Sequence, residues 1–388
     1  MELFNVYPLM DVEPISANGS WITDKTGVKY LDFYGGHAVI SVGHSHPDYI
    51  SKISDQLNRI GFYSNSIQNP SQVELADKLG KMSGLPDYQL FLCNSGSESN
   101  EAALKLASYH TGKEGVIAFS DGFHGRTAGA SAVTSSSAIK MPSKKPDKVH
   151  IAEFNNIEQV EELFSKEEIG AVILECIQGI GGVNLVTKEF YKRLLDLCKK
   201  YNALLIADEV QSGFGRTGKF FSFQHLSSEY QPDLISMAKG MGNGFPVGGV
   251  LISPDIKPVY GLLGSSFGGN FIACNAVLAV LDIIDKENLL ENSGVIGDYL
   301  LNKVAGLPEL KEVRGKGLMI GLEFNFPVAD IRKVLVGKYQ ILTGSSSDQN
   351  VLRILPSLTV TIEEVDMLLS ALQEILKEIE NNEAVHIS

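Results

Sequence analysis

What the chain lacks narrows it first. Nowhere in its 388 residues is there an apolar run long enough to span a membrane. The opening Met1-Glu2-Leu3-Phe4 lacks the basic-then-apolar layout of a signal peptide, so a cytoplasmic protein is expected. Basic residues are in deficit: 33 Lys and Arg stand against 46 Asp and Glu, a net charge of −13 that argues against nucleic acid as a partner. The four cysteines, Cys93, Cys176, Cys198 and Cys274, lie in or beside apolar stretches with no C-x-x-C pair, which points to buried thiols in a reducing compartment. There is no low-complexity tract and no repeat. The pair His44-x-His46 has no third or fourth ligand at useful spacing, so no metal site is expected.

The chain is 44% hydrophobic, ample for a large core. It is organised around Ala203-Leu204-Leu205-Ile206-Ala207-Asp208-Glu209-Val210-Gln211, an apolar run that stops on two carboxylates. Such a run reads as a fully buried strand of a parallel sheet, whose ligands lie beyond the strands' carboxyl ends. A second run, Asp233 to Ala238, stops on Lys239. An acid and a lysine at neighbouring strand ends suit pyridoxal phosphate: Lys239 forms a Schiff base, and Asp208 keeps the pyridinium nitrogen protonated.

Other runs support the sheet. Leu90–Cys93, Val116–Phe119, Ala171–Leu174 and Val250–Ser253 read as strands, and Lys188–Tyr201 as an amphipathic helix between two of them. This alternation indicates a doubly wound, mostly parallel α/β sheet. After Leu90–Cys93, Ser95-x-x-Glu98 matches a capping box, and a small-residue turn feeding a helix N-terminus is a seat for a phosphate or a plain corner. Phe123 and Arg126, in a Gly-flanked loop, are candidates for stacking on a flat ring and for binding a carboxylate. Glu175 closes the Ala171–Leu174 strand. Ser265 and Ser266 lie in a second small-residue turn, which either binds a phosphate or caps a helix. Gly213-x-Gly215-x-x-Gly218 matches a dinucleotide fingerprint literally, but no amphipathic helix opens after it. Boundaries are expected at 1–48 for an N-terminal arm, which reads as a hairpin over Trp21–Phe33 and contributes to the small domain, at 49–285 for a large cofactor-binding domain, and at 286–388 for a smaller α+β domain. The polar Asn381–Ser388 is expected to fray.

Several motifs together resemble the class III aminotransferases of fold type I. They are Gly43-His44-x-His46-Pro47, Asn94-Ser95-Gly96-Ser97-Glu98, Phe123-His124-Gly125-Arg126-Thr127, Asp208-Glu209-Val210-Gln211 with Gly215-Arg216-Thr217-Gly218, Ala238-Lys239-Gly240, and Ser266-Phe267-Gly268-Gly269-Asn270. They come in the family's order across most of the chain, and the pattern is most similar to acetylornithine and succinylornithine aminotransferases. The resemblance implies a homodimer with shared active sites. Lys239 and Asp208 would be catalytic. Gly96, Ser97, Phe123, Asp208, Glu209, Val210, Gln211, Lys239 and the partner's Ser266 would bind the cofactor. Arg126, Ser265, Arg353, Glu175 and His37 would face the substrate. The implied reaction converts an N-acetyl- or N-succinylornithine and 2-oxoglutarate into the semialdehyde and glutamate, as in arginine biosynthesis. Free ornithine or 4-aminobutyrate is the alternative donor. One departure stands out: a glutamate usual in the loop Gln178-Gly179-x-Gly181-Gly182 is here Ile180. That glutamate typically pairs with the arginine matched by Arg353, so Arg353 is expected to be free for a second carboxylate.

Overall fold

The computed structural model describes residues 1–140 and 148–381; the expected frayed tail beyond Asn381 lies outside them. Strands β1 (Pro14–Asn18), β2 (Trp21–Asp24) and β3 (Lys29–Phe33) come first. Next are β4 (Gln89–Cys93), β5 (Gly115–Phe119), β6 (Val149–Ala152), β7 (Ile169–Leu174), β8 (Leu204–Asp208), β9 (Leu234–Met237) and β10 (Gly248–Ile252). The chain closes with β11 (Leu310–Lys316), β12 (Met319–Phe324), β13 (Ile341–Ser345) and β14 (Val351–Ile354).

They form two seven-stranded sheets. The first runs β4-β10-β9-β8-β7-β5-β6. Only β10 is antiparallel to its neighbours, so the sheet is mostly parallel, as expected. Its central strands β7, β8 and β9 are buried at every position, which explains their unbroken apolar runs. Helix Gly96–Thr111 covers one face, and helices Ile157–Lys166 and Lys188–Tyr201 cover the other. The last of these buries Phe190, Tyr191, Leu194, Leu197 and Cys198, each side chain worth about 1.5–3 kcal/mol relative to exposure. The second sheet runs β1-β2-β3-β13-β14-β12-β11. The N-terminal hairpin therefore joins the C-terminal strands through the parallel β3–β13 pair.

The polar features that sequence left open have partners. His44 Nε2 meets Asp32 Oδ2 at 2.9 Å. His46 caps helix Pro47–Arg59 through Asp48 N and meets Glu287 through Nε2. All four cysteines are buried and free. After Asp208 the glycines of the dinucleotide-like motif run through turns to a short 3₁₀ turn at Ser222–His225, so they open no helix for a pyrophosphate. Among the described residues, no helix is long and apolar enough to cross a membrane.

Arg216 joins the two halves. It is 2% exposed, and its guanidinium donates to the backbone oxygens of Ile40, Leu318 and Pro356. Arg216→Met should leave three buried carbonyls unpaired and lower stability by about 3 kcal/mol or more. Urea unfolding of the two proteins side by side checks this; an unchanged midpoint would mean the carbonyls find other donors.

Candidate active site

The strand order sets the site. β9, β8, β7 and β5 are neighbours, so the residues after their carboxyl ends stand in a row. Those residues are Lys239, Asp208, Glu175 and Phe123, and β4 adds Ser95–Ser97 at the same edge. They line one cavity of about 150 Å³, together with Asn100, His124, Gly125, Ile180, Val210 and Gln211.

Asp208 is 4% exposed and its carboxylate is fully engaged. Oδ2 accepts from Asn100 Nδ2 at 2.8 Å and from His124 Nδ1 at 2.7 Å, while Oδ1 accepts from Val210 N at 3.0 Å. Desolvation would lower the His124 pKa, but the hydrogen bond and charge of Asp208 outweigh it and raise it. Lys239 is half-buried, and desolvation lowers its ammonium pKa; Asp208 and Glu175 oppose that shift, and the charge of Arg353 adds to it. Burial raises the Glu175 pKa. Its carboxyl oxygens accept from Phe123 N and Gly179 N, both at 2.9 Å, so Glu175 fixes the loop that carries the Phe123 ring.

Helix Gly96–Thr111 is 16 residues long and begins at the cavity. Ser95 Oγ caps it by accepting from Glu98 N, and Glu98 Oε2 accepts in return from Asn94 N and Ser95 Oγ. Two glycines beside it are sterically required. A Cβ on Gly96 would stand 2.7 Å from Val210 Cγ1, and one on Gly125, at φ +133, would stand 2.2 Å from Ser97 Oγ. A long helix N-terminus, a small hydroxyl, a flat aromatic, a buried carboxylate and an amine of lowered pKa share one cavity. This donor set fits pyridoxal phosphate: Gly96–Ser97 would hold its phosphate, Phe123 would stack on its ring, and Asp208 would meet its ring nitrogen.

The other expected residues divide. Gln211 lines the cavity; its Nε2 donates to His37 O at 3.2 Å and its Oε1 accepts from Arg353 Nη1 at 3.0 Å. Arg353 is fully buried, with Nε on Ser345 O and Nη2 without a partner. Among the described residues, no carboxylate lies within salt-bridge distance of it. Arg126 is exposed, with its guanidinium 5.1 Å from the Phe123 ring centre. Ser265 and the exposed Ser266 lie away from this cavity; Ser265 Oγ accepts from Asn94 Nδ2 at 2.9 Å. Glu209 is turned the other way. Its carboxylate is held by Ser212 Oγ, Ser222 Oγ and the amides of Ser222 and Phe223, because at a strand end successive side chains point to opposite faces. Sequence reasoning gave no role to Asn100, and to His124 only a place in a loop that could line a pocket. Their only signals were a position one turn into the capped helix and a place beside Phe123.

His37 stands on a left-handed kink, with its Nε2 2.5 Å from Tyr34 Oη. Desolvation of the ring and the charges of Arg353, Lys239 and Arg126 push its pKa down to about 4.

Residues 6–376 match the family described as Aminotransferase class-III. The acetylornithine aminotransferase of Archaeoglobus fulgidus is 40% identical over 351 residues, spanning 90% of this chain and 91% of that protein. That of Bacillus subtilis is 39% identical over 380 residues, spanning 96% and 97%. Among solved structures, the ornithine aminotransferase from Toxoplasma gondii superposes with a TM-score of 0.90 at 26% identity, covering 98% of this chain and 93% of that one.

The His37 shift has a measurable consequence. Its folded pKa of about 4 lies below the unfolded value of 6.5, so within that window the unfolded chain binds the extra proton and stability falls as pH drops. His37→Gln should shrink the loss of stability between pH 7.5 and pH 5, read as the difference in urea midpoints. An undiminished difference would assign the pH response to another group.

Proposed function

Because the chain belongs to the class III aminotransferases, we propose that it moves the terminal amine of an N-acylornithine to 2-oxoglutarate, with pyridoxal phosphate bound to Lys239 as a Schiff base. The observation that carries this reading is the single cavity holding Lys239 beside the Asn100–Asp208–His124 network, in a chain whose relatives match it nearly end to end. The products are the acylated glutamate semialdehyde and glutamate, in two half-reactions of a ping-pong cycle. The role fits arginine biosynthesis in the cytoplasm.

When bound, the cofactor supplies a carbonyl for the amine and a protonated ring that accepts electrons. The chain supplies the rest. Asp208, fixed by three hydrogen bonds, presents a carboxylate of set direction to the ring nitrogen. Phe123 offers its flat face, and its loop is held by Glu175. Lys239 Nζ would take the proton from the carbon bearing the substrate amine and deliver it to the cofactor's carbonyl-derived carbon, on the other side of the shared nitrogen; its lowered pKa raises the fraction held as free amine. Arg126 receives the substrate α-carboxylate, with enough freedom at the surface to follow substrates of different length.

Arg353 supports a finer reading of the donor. A buried guanidinium with an unpaired N–H favours a ligand that brings a second carboxylate. 2-Oxoglutarate does so, and so does an N-succinyl group, whereas an N-acetyl group does not. The reading also includes a homodimer with Ser265 and Ser266 at its interface. Beside them Phe62, Tyr63 and Phe267 are exposed apolar side chains, with the Phe62 and Phe267 rings 5.4 Å apart.

The test mixes cofactor-loaded protein, without oxoacid, with N-succinylornithine, N-acetylornithine or ornithine, and follows loss of the visible cofactor band. Fast loss with an acylated donor and slow loss with ornithine is expected, with the succinyl form ahead. Ornithine as the fastest donor would replace the N-acyl reading. Ile180→Glu should cut the succinyl-over-acetyl preference by about tenfold, the value of one charge-assisted contact; an unchanged ratio would remove Arg353 from acyl recognition.

A further inference from the structure

Lys239 sits in the left-handed region, at φ +49, and Asn243 four residues on does too, at φ +46. For a lysine this conformation is strained, and it persists only where surrounding contacts over-determine it. The short turn Lys239–Met241 is too brief to do that alone.

The contacts come from a segment about 200 residues earlier. The Asn243 carboxamide, 6% exposed, grips residues 41–43 with three hydrogen bonds: Oδ1 accepts from Ser41 N at 2.8 Å and Val42 N at 3.1 Å, and Nδ2 donates to Gly43 O at 2.9 Å. Ser41 Oγ, itself 1% exposed, donates to Gly240 O at 2.7 Å. The gripped segment runs back to His37, whose backbone oxygen is held by Gln211. Glycine is the usual residue where a loop must turn left-handed, and asparagine is the side chain that tolerates it best. At position 243 the side chain therefore adds something that backbone freedom does not require.

We infer that Asn243 is a positioning residue: its carboxamide clasps residues 41–43 to the turn carrying Lys239, and so fixes the lysine relative to the His37 side of the cavity. The inference rests on the aminotransferase reading in taking Lys239 as the reactive amine. It adds a residue that touches neither substrate nor cofactor, and a mechanical link between the N-terminal segment and the lysine.

Asn243→Gly tests it, because glycine keeps the left-handed backbone and removes only the clasp. A misplaced lysine should lower kcat by roughly tenfold to a hundredfold. KM for the donor should stay within about threefold, because donor binding lies elsewhere. The pH midpoint of the visible cofactor band should shift, and amide exchange at Ser41 and Val42 should quicken even without cofactor. Asn243→Asp keeps the acceptor that holds Ser41 and Val42 and loses the donor to Gly43, so it should fall between wild type and Asn243→Gly. A lower melting temperature with unchanged kcat and midpoint would overturn the inference and leave Asn243 a structural residue. Unchanged amide exchange would overturn it at its first step. A wild-type protein that shows no visible band with pyridoxal phosphate would instead remove the aminotransferase reading, and the inference with it.

Discussion

The burial of one carboxylate organises this molecule. Asp208 lies at the end of a strand that is buried throughout, where an unpartnered charge would cost several kcal/mol. Its oxygens are met by Asn100, His124 and a backbone amide, and each partner carries its own constraint. His124 must hold a proton to serve Asp208, which ties the loop after β5 to the strand end. Asn100 must face the cavity, which sets the rotation of the helix whose N-terminus opens on it. Lys239 is the cation whose lowered pKa Asp208 partly restores. The cavity is thus an arrangement of mutually dependent charges at the carboxyl edge of the sheet.

Much of that edge was legible in the chain. An apolar run that stops on a charge marks both a buried strand and the residue at its end, so Asp208, Glu175 and Lys239 could be read from local sequence. Phe123 and Gly96 followed from short motifs. Facing was harder. Asp208 and Glu209 are adjacent carboxylates, and both looked suited to the cofactor; only the β8 pleat and the hydroxyls of Ser212 and Ser222 decide that Glu209 belongs to the loop beneath. Asn100 was silent because an asparagine inside a helix carries no signal until its neighbour across the cavity is known. Asn243 was silent for the same reason, at a separation of about 200 residues. The two-sheet arrangement was partly legible as a change of character near residue 290. The N-terminal arm was expected to contribute to the small domain; the parallel β3–β13 pair by which its hairpin joins the second sheet is encoded by no local pattern.

The polar links between the two sheets converge on a short stretch. Arg216 and Asn243 both hold residues 40–43, one from the turn after β8 and one from the turn after β9. Gln211 holds His37 from the same side. Backbone–side-chain hydrogen bonds of this kind cannot slide as apolar faces can. Residues 37–43 are therefore referenced to the same two turns that present Asp208 and Lys239.

Ile180 bears on what such a fixed cavity selects. Burial brings the Arg353 pKa down to about 10, which still leaves it charged at neutral pH. A protein carboxylate at position 180 would satisfy that charge, but every substrate carboxylate would then have to displace it. An apolar side chain removes the competitor and leaves the desolvation of Arg353 unrecovered in the free protein. On the proposed role of Arg353, the loss in fold stability would reappear as affinity for a ligand whose carboxylate reaches it. A neutral acyl tail would gain nothing there, whereas a carboxylated tail and a dicarboxylic oxoacid both would. On the proposed function, the same exchange that weakens the empty site would sharpen its choice between succinylated and acetylated donors.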